Sequence, residues 1–248
     1  MNFLLALCLA AAPGLHEQKD WNRVVAALQL VGEEYLEALE LPADASSARR
    51  RQLATLLEGA APFAGDAGVR KEILALRDRV LTTDYELGVA CKALVGRILD
   101  RFPVRRTPRK KPDLEEGKKL YVQACAACHG EGGKGGSPIA STMDPPPRDI
   151  LNPRPNWSPS DMFNRVTYGG AETAMPAFKD GLSQMARWDI VFYLFAERWP
   201  PCEKPLPPLR ADELAVLGDY ELGNRFGYGA AACLRRIFRP PKAGAAGR

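Results

Sequence analysis

The sequence predicts an all-α protein: an N-terminal helical bundle, a second helical domain with a compact chemical cluster, and a short helical tail. Three observations carry this reading. Apolar residues recur at helical spacing in one segment after another, few stretches show the strict alternation of a half-buried strand, and proline- and glycine-rich breaks separate the helical runs. The length of 248 residues accommodates about two domains, and 46% hydrophobic with 26% charged residues fits a packed globular chain.

Residues 1–15, opening with "MNFLLALCLAAAPG", read as a signal peptide. The apolar run is too short to span a bilayer, which needs about 20 residues. A terminal piece of a buried helix is the plainer alternative. Leu7 is large where a lipoprotein signal needs a small residue, so lipid anchoring at Cys8 is not expected. The mature protein is expected to be exported, in the periplasm or an equivalent compartment, and soluble.

Residues 16–102 form the predicted bundle. Trp21, Val24, Val25, Leu28, Val31, Tyr35 and Leu39 mark a first helix that Pro42 ends. A second is expected to be capped by Ser46 or Ser47 and to fade at Gly59. Val69, Ile73, Leu76 and Val80 make one stripe on a third. Thr83 and Glu86 have capping-box spacing before a fourth, which runs to about Phe102. Short connections between such helices predict antiparallel packing.

Residues 103–112 hold five positive charges and three prolines, a basic semi-rigid linker. Residues 113–201 form the second domain. Asp113 and Glu116 open a helix that runs into the cluster, Ser158-Pro159 opens a short one, and an aromatic helix from about Ser183 to Trp199 stops at Pro200-Pro201. Residues 202–248 are the tail. The net charge of +4 resides in linker and tail, since residues 16–102 carry 12 basic against 14 acidic residues and 114–201 carry 9 against 10. No basic folded face with interleaved aromatics is present, so nucleic acid is not an expected partner.

The cluster is Cys125-Ala-Ala-Cys128-His129. In C-x-x-C-H, two thiols reach the two vinyl groups of one haem while the adjacent imidazole faces the iron. A zinc site lacks a second ligand pair, and a redox dithiol lacks a surrounding βαβ pattern. Cofactor expectations are therefore one covalent haem c, with Cys125, Cys128 and His129 as attachment and ligand residues. The only other histidine, His16, sits at the signal boundary, which leaves methionine for the second axial position. Met162 and Met185 fall beside aromatic residues on helices, where methionine usually fills core space. Met143 is a loop methionine only 14 residues past His129. Met175 sits in a loop before Pro176 and just ahead of the aromatic helix, and is the preferred ligand. Of the other cysteines, Cys91 lies on an apolar helix stripe, and Cys202 and Cys233 bracket the tail where they can close a disulfide that spacing alone does not decide.

On these residues the segment 113–200 resembles a class I monohaem cytochrome c domain: an N-terminal helix, "CAACHG", a Gly/Pro loop, "MPAF" and a C-terminal aromatic helix. The resemblance implies thioethers at Cys125 and Cys128, His129 as proximal ligand and Met175 as distal. It also implies a proline carbonyl, at Pro138 or one of Pro145–Pro147, accepting from the imidazole. The wider order of parts, with "ADELAVLGDYELGNRFGYGAAACLRRIF" at the end, is similar to the soluble part of bacterial iron permeases fused to cytochrome c. This implies a membrane iron permease, on a separate polypeptide, and Fe(II) as electron donor, with the tail docking the permease.

Both axial positions filled by protein leave no open site, so the expected role is outer-sphere electron transfer with a redox partner protein, not catalysis. A general periplasmic shuttle, or the haem subunit of a dehydrogenase or oxidase, competes with this. A third reading, of another class, is a helical iron-binding protein with Glu34 and Glu37 as ligands. An acidic solvent face explains the same glutamates without any metal.

Overall fold

The computed structural model describes residues 20–151, 157–170, 173–200, 202, 206, 208–227, 229–236 and 238. The signal segment, Cys8 and His16 lie outside them. Every regular element among the described residues is helical, and the chain divides into two compact units at Phe102/Pro103.

The first unit holds α1 (Trp21–Leu39), α2 (Ala43–Ala60), α3 (Ala67–Val80) and α4 (Leu87–Arg101). Asp20 caps α1 by accepting from the Arg23 amide at 3.2 Å, and Asp66 caps α3 by accepting from Val69 at 3.0 Å. α1 packs against α2 and α4, burying Val24, Leu28, Val31 and Tyr35. All four residues of the Val69–Val80 stripe are buried. Where α1 meets α4, a Cβ on Gly88 would lie 2.9 Å from the Gly32 carbonyl oxygen, so glycine permits the approach.

Two caps differ from expectation. α2 begins a turn before Ser46, because Pro42 fixes an extended entry (φ −51°, ψ 147°) from which its carbonyl accepts the Ser46 amide at 2.8 Å. Ser46 is then inside the helix and buried. The Thr83–Glu86 box does not form. The Glu86 amide donates to Asp84 Oδ1 at 3.0 Å instead, and the Tyr35 hydroxyl accepts from the Asp84 amide at 2.9 Å.

Glu34 is also not where an iron ligand is needed. It is 5% exposed and ion-paired with Arg49, whose guanidinium takes the carboxylate a cation would use. Among the described residues no group of three His, Cys, Asp or Glu side chains is placed to hold a metal ion. The Arg49 ion pair therefore argues against the expectation that Glu34, with Glu37, ligates iron.

The second unit contains α5 (Leu114–Ala124), α6 (Ala126–His129), α7 (Pro159–Tyr168), α8 (Gln184–Glu197), α9 (Ala211–Val216), α10 (Asp219–Phe226) and α11 (Ala230–Leu234). Asp113 caps α5, and Ser158 with Asp161 forms a full capping box on α7 behind Pro159. α5 crosses α8 at Gly117, where an added Cβ would sit 2.1 Å from the Asp189 carbonyl oxygen. Trp188 on α8 stacks on Phe163 of α7 with centroids 4.0 Å apart.

Two further features depart from the sequence reading. Arg105 of the basic segment donates to Gln184 Oε1 at 2.9 Å, so part of it docks on the second unit. The segment after residue 201 joins the domain core: Leu214, Ala215, Leu217, Leu222, Ala230, Ala231 and Leu234 are buried in the same cluster as Phe163, Trp188 and Phe195. Cys202 and Cys233 are disulfide-bonded. In "ACLRR", Cys233 is bridged, Leu234 and Arg235 are buried, and Arg236 donates to the Trp199 carbonyl. That motif is explained by packing within this unit, not by a free docking surface. No helix among the described residues is long and apolar enough to cross a membrane.

Candidate functional site

The C-x-x-C-H residues occupy one tight turn. Cys125 ends α5 with φ −123°, and its carbonyl accepts from the Cys128 amide at 3.2 Å and the His129 amide at 2.9 Å. The two thiols are therefore one turn apart, and both are free. Burial, with the neighbouring Cys128 second, pushes the Cys125 thiol up to about 11. Redox dithiols need a depressed thiol pKa, so this environment disfavours that chemistry.

His129 is half-buried, and desolvation lowers its pKa, keeping the imidazole neutral as a ligand must be. Nδ1 is buried and has no hydrogen bond of ordinary geometry, while an acceptor on the Arg148 backbone lies near enough to oppose the shift. That neighbour is Arg148, next to Pro147, rather than one of the prolines expected to support the ring.

The loop after the histidine is held from several sides. Gly130 adopts φ +75°, where an added Cβ would meet the Gly135 carbonyl oxygen at 2.4 Å. The Gly135 amide donates to the His129 carbonyl at 2.8 Å, Ser137 Oγ to the Cys128 carbonyl at 2.9 Å, and Tyr121 Oη to the Gly130 carbonyl at 2.7 Å. Burial raises the Tyr121 phenol well above its ordinary value, so it stays a donor.

Met175 rides on the loop between α7 and α8. Its carbonyl accepts from Gly170 at 3.2 Å and its amide donates to Thr173 Oγ1 at 3.2 Å. Phe178 and Lys179 donate back to the Val166 and Thr167 carbonyls of α7, both at 3.1 Å. Gly169, at φ +76°, lets this loop fold over the end of α7: a Cβ there would be 2.7 Å from the Met175 carbonyl oxygen. Met175 and Cys125 both pack, half-buried, against one core. Met162 is 5% exposed within that core, Met185 is half-buried against it, and Met143 follows a short turn over Ala140–Thr142.

Buried N–H groups without hydrogen-bond partners in this unit include Trp157 Nε1, Trp188 Nε1 and two guanidinium nitrogens of Arg187. Native interiors leave few such groups. Two free thiols one turn apart, an adjacent imidazole that burial keeps neutral, and a loop-borne thioether packed on the same core are a donor set that fits a c-type haem. Of the residues around this site, Tyr121, Trp157 and Arg187 escaped the sequence reading. Tyr121, one turn before Cys125, offered a helical-spacing signal; Trp157 offered none.

Residues 112–194 match the family model for cytochrome c oxidase, cbb3-type, subunit III. A solved structure, the Kuenenia stuttgartiensis reducing HAO-like protein complex Kustc0457/Kustc0458, pairs with the chain at 26% identity and a TM-score of 0.35. That pairing covers 47% of this chain and 62% of the other. No curated protein matches. With the C-x-x-C-H turn and its helices in place, residues 112–194 form a cytochrome c-type domain, and every regular element among the described residues is helical.

Proposed function

We propose that the protein is an exported electron-transfer cytochrome carrying one covalent haem c, and that it has no catalytic residues. The observation that carries this reading is the C-x-x-C-H turn with free thiols beside an imidazole kept neutral by burial. The Sγ atoms of Cys125 and Cys128 would form the thioethers, and the His129 imidazole and the Met175 thioether would hold the iron. The bound haem supplies a one-electron Fe(III)/Fe(II) couple whose potential Met/His ligation raises. The chain fixes the histidine loop through Tyr121 and Ser137, fixes the methionine loop through Gly169 and α7, and shields both with the α5–α8 core.

The physiological partner in this reading is a redox protein associated with a membrane iron permease, with Fe(II) as the electron source. Its support is the order of parts along the chain, since the tail motif is accounted for by packing.

Protein matured with a haem-attachment system should hold haem that survives a denaturing gel. Cys125→Ala with Cys128→Ala should release it to acid-acetone. Wild-type protein without covalent haem would sink the reading. Mixing the oxidised holoprotein with Fe(II) in stopped flow should reduce the haem. Reduction by a dehydrogenase partner but not by Fe(II) would favour the general shuttle instead.

A further inference from the structure

Behind the histidine loop lies a cluster of buried charges that the electron-transfer reading does not use. Arg198, at the C-terminal end of α8, has a side chain 2% exposed, and that of Arg235, after α11, is 1% exposed. Both guanidinium groups lie over the Phe195 ring, at 3.7 and 4.7 Å from its centroid. The acid closest to both is Asp219, which accepts from Arg235 Nε at 2.8 Å and from Trp199 Nε1 at 3.2 Å, and stands 3.8 Å from Arg198 Nη1. Asp149 and Glu221 also face the cluster but are solvent-exposed, where water and salt screen them. Arg198 Nε and Nη1 have no hydrogen-bond acceptor. Two desolvated cations thus share one partly buried carboxylate. Burial lowers the Arg198 pKa only to about 10, so it remains charged at neutral pH.

This cluster is connected to the site. Arg198 Nη2 donates to the Ile150 carbonyl at 3.2 Å, the Ile150 amide to the Gly133 carbonyl at 2.7 Å, and the Gly133 amide to the Gly130 carbonyl at 3.2 Å. Gly130 directly follows His129. At the other end, Arg235 is clamped by the Leu214 and Leu217 carbonyls, and the Cys202–Cys233 bridge ties its segment back to the chain just past α8. All of α9–α11 and Arg198 itself lie beyond residue 194, outside the matched cytochrome region.

We propose that Arg198 is a positioning residue for the histidine loop and, with Arg235, a fixed positive charge that raises the reduction potential of the haem. The proposal rests on the haem reading above. Reduction adds one electron at the iron and no bond forms or breaks. A desolvated net positive charge stabilises the electron-richer state, and low local polarity makes the effect larger than at a surface. The C-terminal helices are what keep that charge dry.

The test is a redox titration of the full-length holoprotein against a mediator dye. Arg198→Met should lower the equilibrium constant for haem reduction roughly tenfold, about 59 mV for a one-electron couple. It should also speed hydrogen exchange at the Ile150 amide, whose carbonyl loses its anchor. Arg198→Lys places at the same buried point an ammonium that sheds its proton more readily than a guanidinium, so its reduction constant should approach wild type at low pH and fall towards that of Arg198→Met as pH rises. Asp219→Asn removes the counter-charge and should raise the constant. Loosening alone would move Arg198→Met and Asp219→Asn in the same direction, so opposite signs support the proposal and equal signs overturn it. If Asp219→Asn does not fold, the Met/Lys pair decides: an Arg198→Lys potential that matches that of Arg198→Met at every pH, acid included, overturns it. Absence of covalent haem would overturn the haem reading itself, and this inference with it.

Discussion

Cys125 and His129 are shifted in opposite directions by one cause, removal of water. The thiol is kept protonated and unreactive as a redox group, the imidazole neutral and ready to ligate. At Met175 the test is spectroscopic. Oxidised holoprotein should show the weak far-red absorption of a sulfur–iron bond, and Met175→Ala should abolish it and let an external ligand such as imidazole bind. Met162→Leu should keep the band, because Met162 is 5% exposed inside the core. If Met143→Ala removes the band while Met175→Ala does not, the distal ligand is Met143. C-x-x-C-H was legible because its chemistry is confined to five consecutive residues. The Arg148 acceptor beside the imidazole was not, because it depends on how the loop returns, and no local periodicity records that. Glu34 misled for a related reason: its Arg49 partner is 15 residues away, so spacing along α1 alone made the carboxylate look available.

At the scale of elements, helix stripes were read correctly and two helix starts were not. The Val69–Val80 stripe needed only a period of 3.6, whereas the starts of α2 and α4 turn on competition between neighbouring caps. Pro42 captured the entry to α2 from Ser46, and Asp84 captured Glu86. The α5–α8 crossing offers a quantitative check. Gly117→Ala gains about 1 kcal/mol of helix propensity, but its Cβ would meet the Asp189 backbone at 2.1 Å. Overpacking against backbone costs about 1–3 kcal/mol, so the clash outweighs the gain and Gly117→Val should be worse. Thermal unfolding of the two variants should show this order; a stabilised Gly117→Ala would refute the close crossing. Acid provides another check on the first unit. Hydrogen bonding from the Val69 amide lowers the Asp66 pKa, and the Arg79 side chain lowers that of Asp84, both from 3.8. A depressed folded pKa contributes stability that is present above 3.8 and lost as pH falls through the folded value. Helix signal should therefore decline below about pH 4, and Asp66→Asn with Asp84→Asn should flatten that decline.

At the scale of the molecule, the division at Phe102/Pro103 followed from the proline-rich basic stretch, but the fate of the C-terminal segment did not. Its short helices looked like an appendage because each is too brief to declare a buried face. Only the assembled core shows Leu214, Leu222 and Leu234 buried in one cluster with residues of α7 and α8. The Cys202–Cys233 bridge holds that cover with a sequence separation of 31. Closing a loop of this length removes unfolded-state entropy worth about 3–4 kcal/mol in the chain-entropy account. Cys202→Ser with Cys233→Ser should therefore destabilise the second unit by about that amount in urea unfolding, with the first unit's transition unchanged. The effect should appear whether or not haem is attached, because neither cysteine belongs to the C-x-x-C-H turn. If the variant unfolds at the wild-type midpoint, the segment is held by its buried side chains alone. If instead only the holoprotein is destabilised, the bridge acts through the haem site and not through the unfolded chain.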